Sequence, residues 1–176
     1  MNPPASAVLK ICLLGEYGVG KTSLANRWVQ DQFSDIYRST LGVRTLACTA
    51  VWQSGFRQRC VVWDVMGEPK LSELTRRYLT GAHIGLFLVD GLRRHTLLSA
   101  LDMAAEANTL FSGAMRQVLV LTKVDQRSDW QIQPDEIAAS TAPALPVVLT
   151  SSRDSVGFDA LATVLGFSIE VPPGAG

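Results

Sequence analysis

"VLKICLLGEYGVGKTS", residues 8–23, joins an apolar run to a glycine-rich turn and then to the start of a helical pattern. Val8–Leu14 reads as a buried strand ending at Gly15. Gly15-x4-Gly20-Lys21-Thr22 has the spacing of a phosphate cradle. Its glycines let successive backbone N–H groups converge on an anion, and the following helix N-terminus adds positive potential. Lys21 is placed to reach the β- and γ-phosphates of a nucleotide, and the Thr22 hydroxyl to ligate Mg²⁺. A glycine turn with an incidental lysine is the plain alternative. It leaves unexplained why further pieces of the same chemistry follow in order.

Outward from this stretch, Lys21–Gln30 reads as a helix, with Leu24 and Trp28 four apart and Ala25 and Val29 beside them. "RTLACTAVW" (44–52) and "RQRCVVWDV" (57–65) flank Ser54-Gly55, a hairpin signal. "GLFLVD" (85–90), "QVLVLT" (117–122) and "PVVLT" (146–150) are further apolar runs ending in polar residues. Helical patterns fall at about 70–80 and 97–110, more weakly from Pro134, and over 155–169, where Phe158, Leu161, Ala162 and Leu165 follow the i, i+3, i+4, i+7 rule. The expected fold is an α/β layer: a six-stranded, mostly parallel sheet with one antiparallel edge strand and about five flanking helices. Ligands of such sheets sit at the carboxyl ends of the strands, where the polar motifs fall.

A chain of 176 residues fits one domain, expected over 8–170 with short tails at 1–7 and 171–176. A hydrophobic content of 47% suffices for a full core. The net charge of zero gives no field for nucleic acid or an anionic membrane. Cys12, Cys48 and Cys60 are odd in number and loosely spaced, which argues against a disulfide framework and against zinc. Free thiols in a reducing cytoplasm are the expectation. "MNPPASAV" is too short and polar for a signal peptide, no apolar run reaches membrane-spanning length, and "EVPPGAG" lacks a prenylation cysteine. No lipid anchor or transmembrane segment is therefore expected.

Three motifs extend the phosphate loop. In "CVVWDVMG" the third strand ends in Asp64, which can hold a Mg²⁺ shell through water, and Gly67 can offer its N–H to a γ-phosphate. In "FSDIYRSTLGV", a loop by composition, Thr40 can add a second hydroxyl to the metal. In "LTKVDQ", Asp125 can accept two hydrogen bonds from guanine N1–H and its exocyclic amine, a donor pair adenine lacks. At about 1.5–3 kcal/mol each, two such bonds give roughly a hundredfold preference or more. Lys123 can lay its aliphatic stem on the purine. "LTSSR" (149–153) can read the guanine O6 through backbone N–H groups near Ser152. Alone, each match also reads as a strand-end turn or helix cap.

Together the chain resembles the Ras superfamily of small GTPases, most similar to the Rab branch, over essentially its whole length. "GEYGVGKTS", "STLGV", "VVWDVMG", "RYLTGAHIGLFLVD" (77–90), "TKVD" and "TSS" match in order and spacing. The resemblance implies a P-loop NTPase (G-domain) fold and a GTP/GDP switch. Phosphate contacts would come from Gly18, Gly20, Lys21 and Thr22, with Gly15, Glu16, Tyr17, Val19 and Ser23 lining the same loop. Mg²⁺ would be held by Thr22 and Thr40, with Asp64 behind water. Guanine would be held by Lys123, Asp125, Ser151 and Ser152, with Thr122 and Arg153 adjoining. Phe33 would pack edge-on to the base, with Tyr37 on the same loop. Lys21, Thr40, Gly67 and Glu68 would serve hydrolysis. Segments 33–44 and 65–80 would be mobile switches ordered by the γ-phosphate, with Trp63 on the effector-facing surface between them. Implied partners are effectors, an exchange factor and a GTPase-activating protein.

Four departures bear on activity. Tyr17 stands where the family has a small residue, and its phenol would cover the γ-phosphate and block a partner's arginine. Glu68 replaces the water-positioning glutamine, and Pro69 biases it toward extended backbone. Thr122 replaces an asparagine, so fewer loop-stitching hydrogen bonds are expected. The expected consequence is intact binding with hydrolysis near the unassisted rate, which is as low as ~10⁻⁴ per second for this chemistry. The alternatives are that Tyr17 swings out and a dedicated partner supplies the missing group, a non-catalytic nucleotide-bound scaffold, and an ATP-using enzyme, the last disfavoured by Asp125. His83, His95, Trp28, Trp52 and Trp130 read as packing or surface residues, and Arg76-Arg77 as a solvated pair.

Overall fold

The computed structural model describes residues 8–34, 39–133, 136–137, 139 and 145–171. Its strands are β1 Val8–Leu14, β2 Val43–Trp52, β3 Arg57–Val65, β4 Ile84–Asp90, β5 Arg116–Thr122, β6 Val147–Leu149 and β7 Phe167–Glu170. Its helices are α1 Lys21–Gln30, α2 Glu73–Leu79, α3 His95–Leu110 and α4 Phe158–Leu165, with a 3₁₀ turn over Val124–Asp129. Pro134 and most of the helix expected to open there, most of both tails, and Tyr37 lie outside the described residues.

The strands form one sheet in the order β6-β5-β4-β1-β3-β2-β7. Alternation along each strand sorts side chains into two layers. From β1, β4 and β5, Ile11, Leu13, Leu86, Leu88, Val118 and Val120 face a core closed by Leu24 and Trp28 of α1 and Leu161 and Leu165 of α4. Cys12, Leu14, Phe87, Val89, Leu119 and Leu121 face the opposite core, closed by Leu79 of α2 and Leu97, Ala100 and Met103 of α3. A strand buried on both faces needs an apolar residue at nearly every position, which is what made these runs legible.

The sheet has seven strands where six were expected, and its antiparallel strand is not at the edge. β2 runs antiparallel to β3, and β7 then pairs antiparallel with β2 and covers it. The helix read over 155–169 stops at Leu165, because Gly166 takes a left-handed conformation (φ 81°). Beyond it, Phe167 is buried with its ring centroid 5.0 Å from that of Trp52. Ile169 packs against the same core, and Arg57 pairs with Glu170. Ile169, four residues after Leu165, continues the helical spacing, while Phe167 and Ile169 together have the two-residue period of a strand, and pairing with β2 decides between them.

β1 lies between β3 and β4, both parallel to it, and β5 and β6 continue parallel beyond β4. Gly15, Asp64, Asp90, Thr122 and Thr150 therefore emerge along one rim of the sheet. The turn after β1 is specific to glycine at its first position: Gly15 has φ +140°, and a Cβ there would stand 2.6 Å from the Leu88 carbonyl oxygen.

Candidate functional site

The rim begins with the phosphate loop. Lys21 is buried, and its Nζ donates to the Gly15 carbonyl at 2.9 Å and the Glu16 carbonyl at 2.8 Å. The ammonium is thereby held across the mouth of the loop. Burial draws its pKa down to about 8, with Arg93 adding to the fall and Asp64 opposing it.

A polar corner stands beside it. Asp64 Oδ2 accepts from Thr22 Oγ1 at 2.7 Å and from Thr40 Oγ1 at 3.3 Å, and the two hydroxyls lie 3.0 Å apart. The carboxylate is fully buried, and its Oδ1 has no hydrogen-bond partner. Burial pushes the Asp64 carboxyl up, while the Thr22 hydroxyl, Lys21 and the Thr40 hydroxyl pull it back only partly. An orphaned buried carboxylate oxygen is costly. A hard cation satisfies it, and two hydroxyls with one carboxylate are the oxygen donors that suit Mg²⁺, which keeps several waters of its own. The residues present fit that ion.

At the far end of the rim, Asp125 Oδ1 accepts from the buried Ser151 hydroxyl at 2.7 Å. That bond fixes the carboxylate plane, while Oδ2 accepts from the Gln126 amide at 3.4 Å. Ser151 is itself held by reciprocal backbone bonds with Val156 and by Asp154 N–H on its hydroxyl at 3.0 Å. Arg27 of α1 donates to the Ser152 carbonyl at 2.8 Å and also reaches the Arg153 carbonyl. Its guanidinium lies 5.9 Å from the Phe33 ring centroid, which brings Phe33 to this end of the site.

Thr122 has one donor with which to stitch the loops. Its Oγ1 lies 2.7 Å from the Val19 carbonyl and 3.0 Å from that of Val89, so its single proton ties the end of β5 to the phosphate loop.

The segment after β3 is folded onto the loop. A Cβ on Gly67 would lie 2.5 Å from Tyr17 Cα and N, and Glu68 N–H reaches the Gly15 carbonyl at 3.3 Å. Glu68 Oε1 accepts from Ser72 N–H and Ser72 Oγ, both at 3.1 Å. Its carboxylate thus braces the start of α2, where Ser72 caps Thr75 N–H at 3.2 Å. The Tyr17 side chain is 55% exposed. Met66 N–H bonds the Gly42 carbonyl at 2.8 Å, joining the two proposed switch segments. Between them Trp63 is half-buried, with Lys10 Nζ 3.9 Å from its ring centroid and the Tyr78 ring 6.1 Å away.

Sequence reasoning missed several residues that build the site. Asp90, buried at the end of β4, accepts from Lys123 Nζ at 2.6 Å, Arg93 Nε at 2.8 Å and Leu92 N–H at 3.0 Å. Burial pushes its carboxyl up, but the hydrogen bonds from Lys123 and Arg93 outweigh this and the net direction is down. Trp130, read as packing, lies so close over Gly91 that a Cβ there would come within 2.1 Å of the indole. Trp130 Nε1 donates to the Lys123 carbonyl at 3.0 Å, supporting Lys123 in a left-handed conformation (φ 62°). The polar ending of "GLFLVD" was the one available signal for Asp90.

The low pKa of Lys21 has two opposite consequences. Between about pH 8 and its unfolded value of 10.5, the unfolded chain holds a proton that the folded chain has released, so this group makes stability rise with pH across that window. A phosphate anion needs the ammonium, so nucleotide affinity falls above pH 8, by up to about tenfold per pH unit for one linked proton. GDP titrations and thermal melts from pH 7 to 9.5 should diverge in this way, and Lys21→Ala should abolish the affinity slope assigned to this group.

Among the described residues no helix is long and apolar enough to cross a membrane, and all three cysteines are free. A family profile described as "Ras of Complex, Roc, domain of DAPkinase" matches residues 10–125. Ras-related protein Rab-32 of Homo sapiens is 30% identical over 135 residues, covering 74% of this chain and 60% of the relative. Ras-related protein Rab-7L1 of Rattus norvegicus is 29% identical over 133 residues, covering 74% and 65% respectively. Ras-related protein RABD2a of Arabidopsis thaliana is 27% identical over 172 residues, covering 97% and 84%. The chain thus spans less than two thirds of the length of the Rab-32 and Rab-7L1 relatives. With the glycine turn, the buried lysine, the hydroxyl–carboxylate corner and the Asp125–Ser151 pair on one sheet rim, the chain belongs to the Roc/Ras-superfamily family of G domains.

Proposed function

We propose that this chain is a Mg²⁺-dependent guanine-nucleotide switch that binds GTP and GDP, hydrolyses GTP slowly, and engages effector proteins in its GTP form. The observation that carries this reading is the meeting of Thr22, Thr40 and Asp64, from three separate segments, around one buried carboxylate whose second oxygen is orphaned. Thr22 and Thr40 would hold the metal directly and Asp64 through water. Bound Mg²⁺ would neutralise phosphate charge. Gly18, Gly20 and Lys21 would grip the phosphates, Asp125 with Ser151 and Ser152 would read guanine, and Thr40 and Gly67 would present N–H groups to the γ-phosphate. An exchange factor and an activating protein, a cytoplasmic location and no nucleic-acid partner belong to the same reading.

Slow hydrolysis is supported by Glu68. Its carboxylate is engaged by two Ser72 donors, so it braces α2 and does not stand ready to orient water. Glu68→Ala should change the single-turnover rate by less than about threefold, well below the effects that direct transition-state contacts give. It should lower stability by about 0.5–1.5 kcal/mol, the net worth of an intramolecular hydrogen bond. A large drop in turnover would restore Glu68 as a catalytic group.

The same observation favours a second reading, a nucleotide-bound scaffold that does not turn over. Mass analysis of co-purified nucleotide, followed over hours with Mg²⁺ present, separates them. Conversion of GTP to GDP supports the switch, whereas GTP that persists supports the scaffold. ATP displacing bound nucleotide as well as GTP does would overturn both.

A further inference from the structure

The geometry points to Arg93 as a positioning residue that fastens the phosphate loop to the base-reading loop through Asp90, making the two ends of the nucleotide site one mechanical unit. The inference rests on the guanine-nucleotide reading above and adds a device to it. Arg93 uses two different nitrogens. Its Nε donates to Asp90 Oδ2 at 2.8 Å, and its Nη2 donates to the Tyr17 carbonyl at 2.8 Å. The same Asp90 oxygen accepts from Lys123 Nζ at 2.6 Å. A continuous path of charge-assisted hydrogen bonds therefore runs from Tyr17, in the loop that grips phosphates, to Lys123, in the loop that faces the purine.

Two features make the path stiff. Asp90 is 1% exposed, so water does not compete for its oxygens, and a third bond from Leu92 N–H holds its orientation. Arg93 and the helix after it also form a wall against the loop. The guanidinium passes 3.5 Å from a Cβ placed on Gly18, and Glu16, the residue before Tyr17, bonds His95 Nε2 at 3.1 Å and the Ser99 hydroxyl on the first turns of α3. The loop is thus fastened at two successive residues, one by its carbonyl and one by its carboxylate. Charge-assisted, forked contacts of this kind carry both energy and geometry. Fixing the Tyr17 carbonyl on Arg93 restrains the peptide unit that joins Tyr17 to Gly18.

The test compares Arg93→Ala, Arg93→Lys, Asp90→Asn and the Asp90→Asn/Arg93→Ala double variant of the full chain. One readout is the dissociation rate of a fluorescent GDP with Mg²⁺ present. Arg93→Ala should speed release by about tenfold or more, the worth of one charge-assisted bond. Arg93→Lys should fail to rescue it, because a single nitrogen does not reproduce the fork. The double variant should be no faster than the faster single variant, since both break one path. Hydrogen exchange of residues 15–20 in nucleotide-free protein gives a second readout, and Arg93→Ala should accelerate it while the thermal midpoint shows the fold retained. Unchanged release and exchange in Arg93→Ala, full rescue by lysine, or additive effects in the double variant would each overturn the clamp. If the wild-type protein shows no preference for fluorescent GDP over fluorescent ADP, the guanine reading fails instead, and the exchange readout still decides the clamp.

Discussion

Replacing Asp125 by alanine is expected to abolish the preference for guanosine over adenosine phosphates. Two hydrogen bonds to an ionised carboxylate, at about 1.5–3 kcal/mol each, set the loss of GDP affinity at roughly a hundredfold or more. The affinity for ADP, which makes neither bond, should stay near its wild-type level. Inosine diphosphate lacks the exocyclic amine and should bind wild-type protein roughly ten- to a hundredfold less tightly than GDP, a gap of one such bond. That gap should vanish in Asp125→Ala. Ser151 loses its acceptor in the variant, so a thermal melt must accompany the titrations. Equal losses for GDP and ADP would mean that Asp125 shapes the loop and does not read the base.

The other large effect is expected at the opposite end of the nucleotide. Lys21→Ala removes a buried cation aimed along the phosphate loop, and contacts to the β- and γ-phosphates at about 1.5–3 kcal/mol each predict a 10²–10⁴-fold loss of GTP affinity. The guanine-over-adenine ratio should survive, because Asp125 and Ser151 do not touch Lys21. Isothermal titration with GTP and ATP measures both quantities. Lys21 also ties down the Gly15 and Glu16 carbonyls, so the variant should show faster exchange of the loop amides even without nucleotide. A variant that retains wild-type GTP affinity would remove the phosphate grip from the proposal.

Asp125→Ala should lose the base and keep the phosphates, while Lys21→Ala should do the reverse. The Asp90–Arg93 path adds an interaction between the two ends that neither variant alone detects. A double cycle of Lys123→Ala with Arg93→Ala would place it, because both side chains donate to the same Asp90 oxygen.

The glycine turn, Lys21 and Thr22 were legible because a phosphate loop is written in contiguous residues. Asp64 and Asp125 were legible because Asp64 lies at the end of buried β3 and Asp125 in the turn that follows buried β5, and strand ends in a parallel sheet share a rim. Thr40 was legible only through resemblance, since a threonine in a polar loop carries no signal of its own. Thr122 was legible as a residue with a single donor, but its partner was not: the bond to Val19 depends on how closely two loops approach across 103 residues of chain. The bonds from Ser72 to the Glu68 carboxylate were not legible, because the pull of a helix cap on that carboxylate is visible only in three dimensions.

By itself the sequence determined the layered α/β architecture and the residues that follow each strand, because burial on both faces leaves an apolar signature at nearly every strand position. Tertiary structure alone decided that the last segment becomes a seventh strand, that Glu68 braces a helix, and that Asp90 collects Arg93 and Lys123. Those outcomes depend on contacts between residues far apart in the chain, such as the 76 positions separating Arg93 from Tyr17. No local periodicity encodes which polar side chain a folded sheet will place within hydrogen-bonding distance of another.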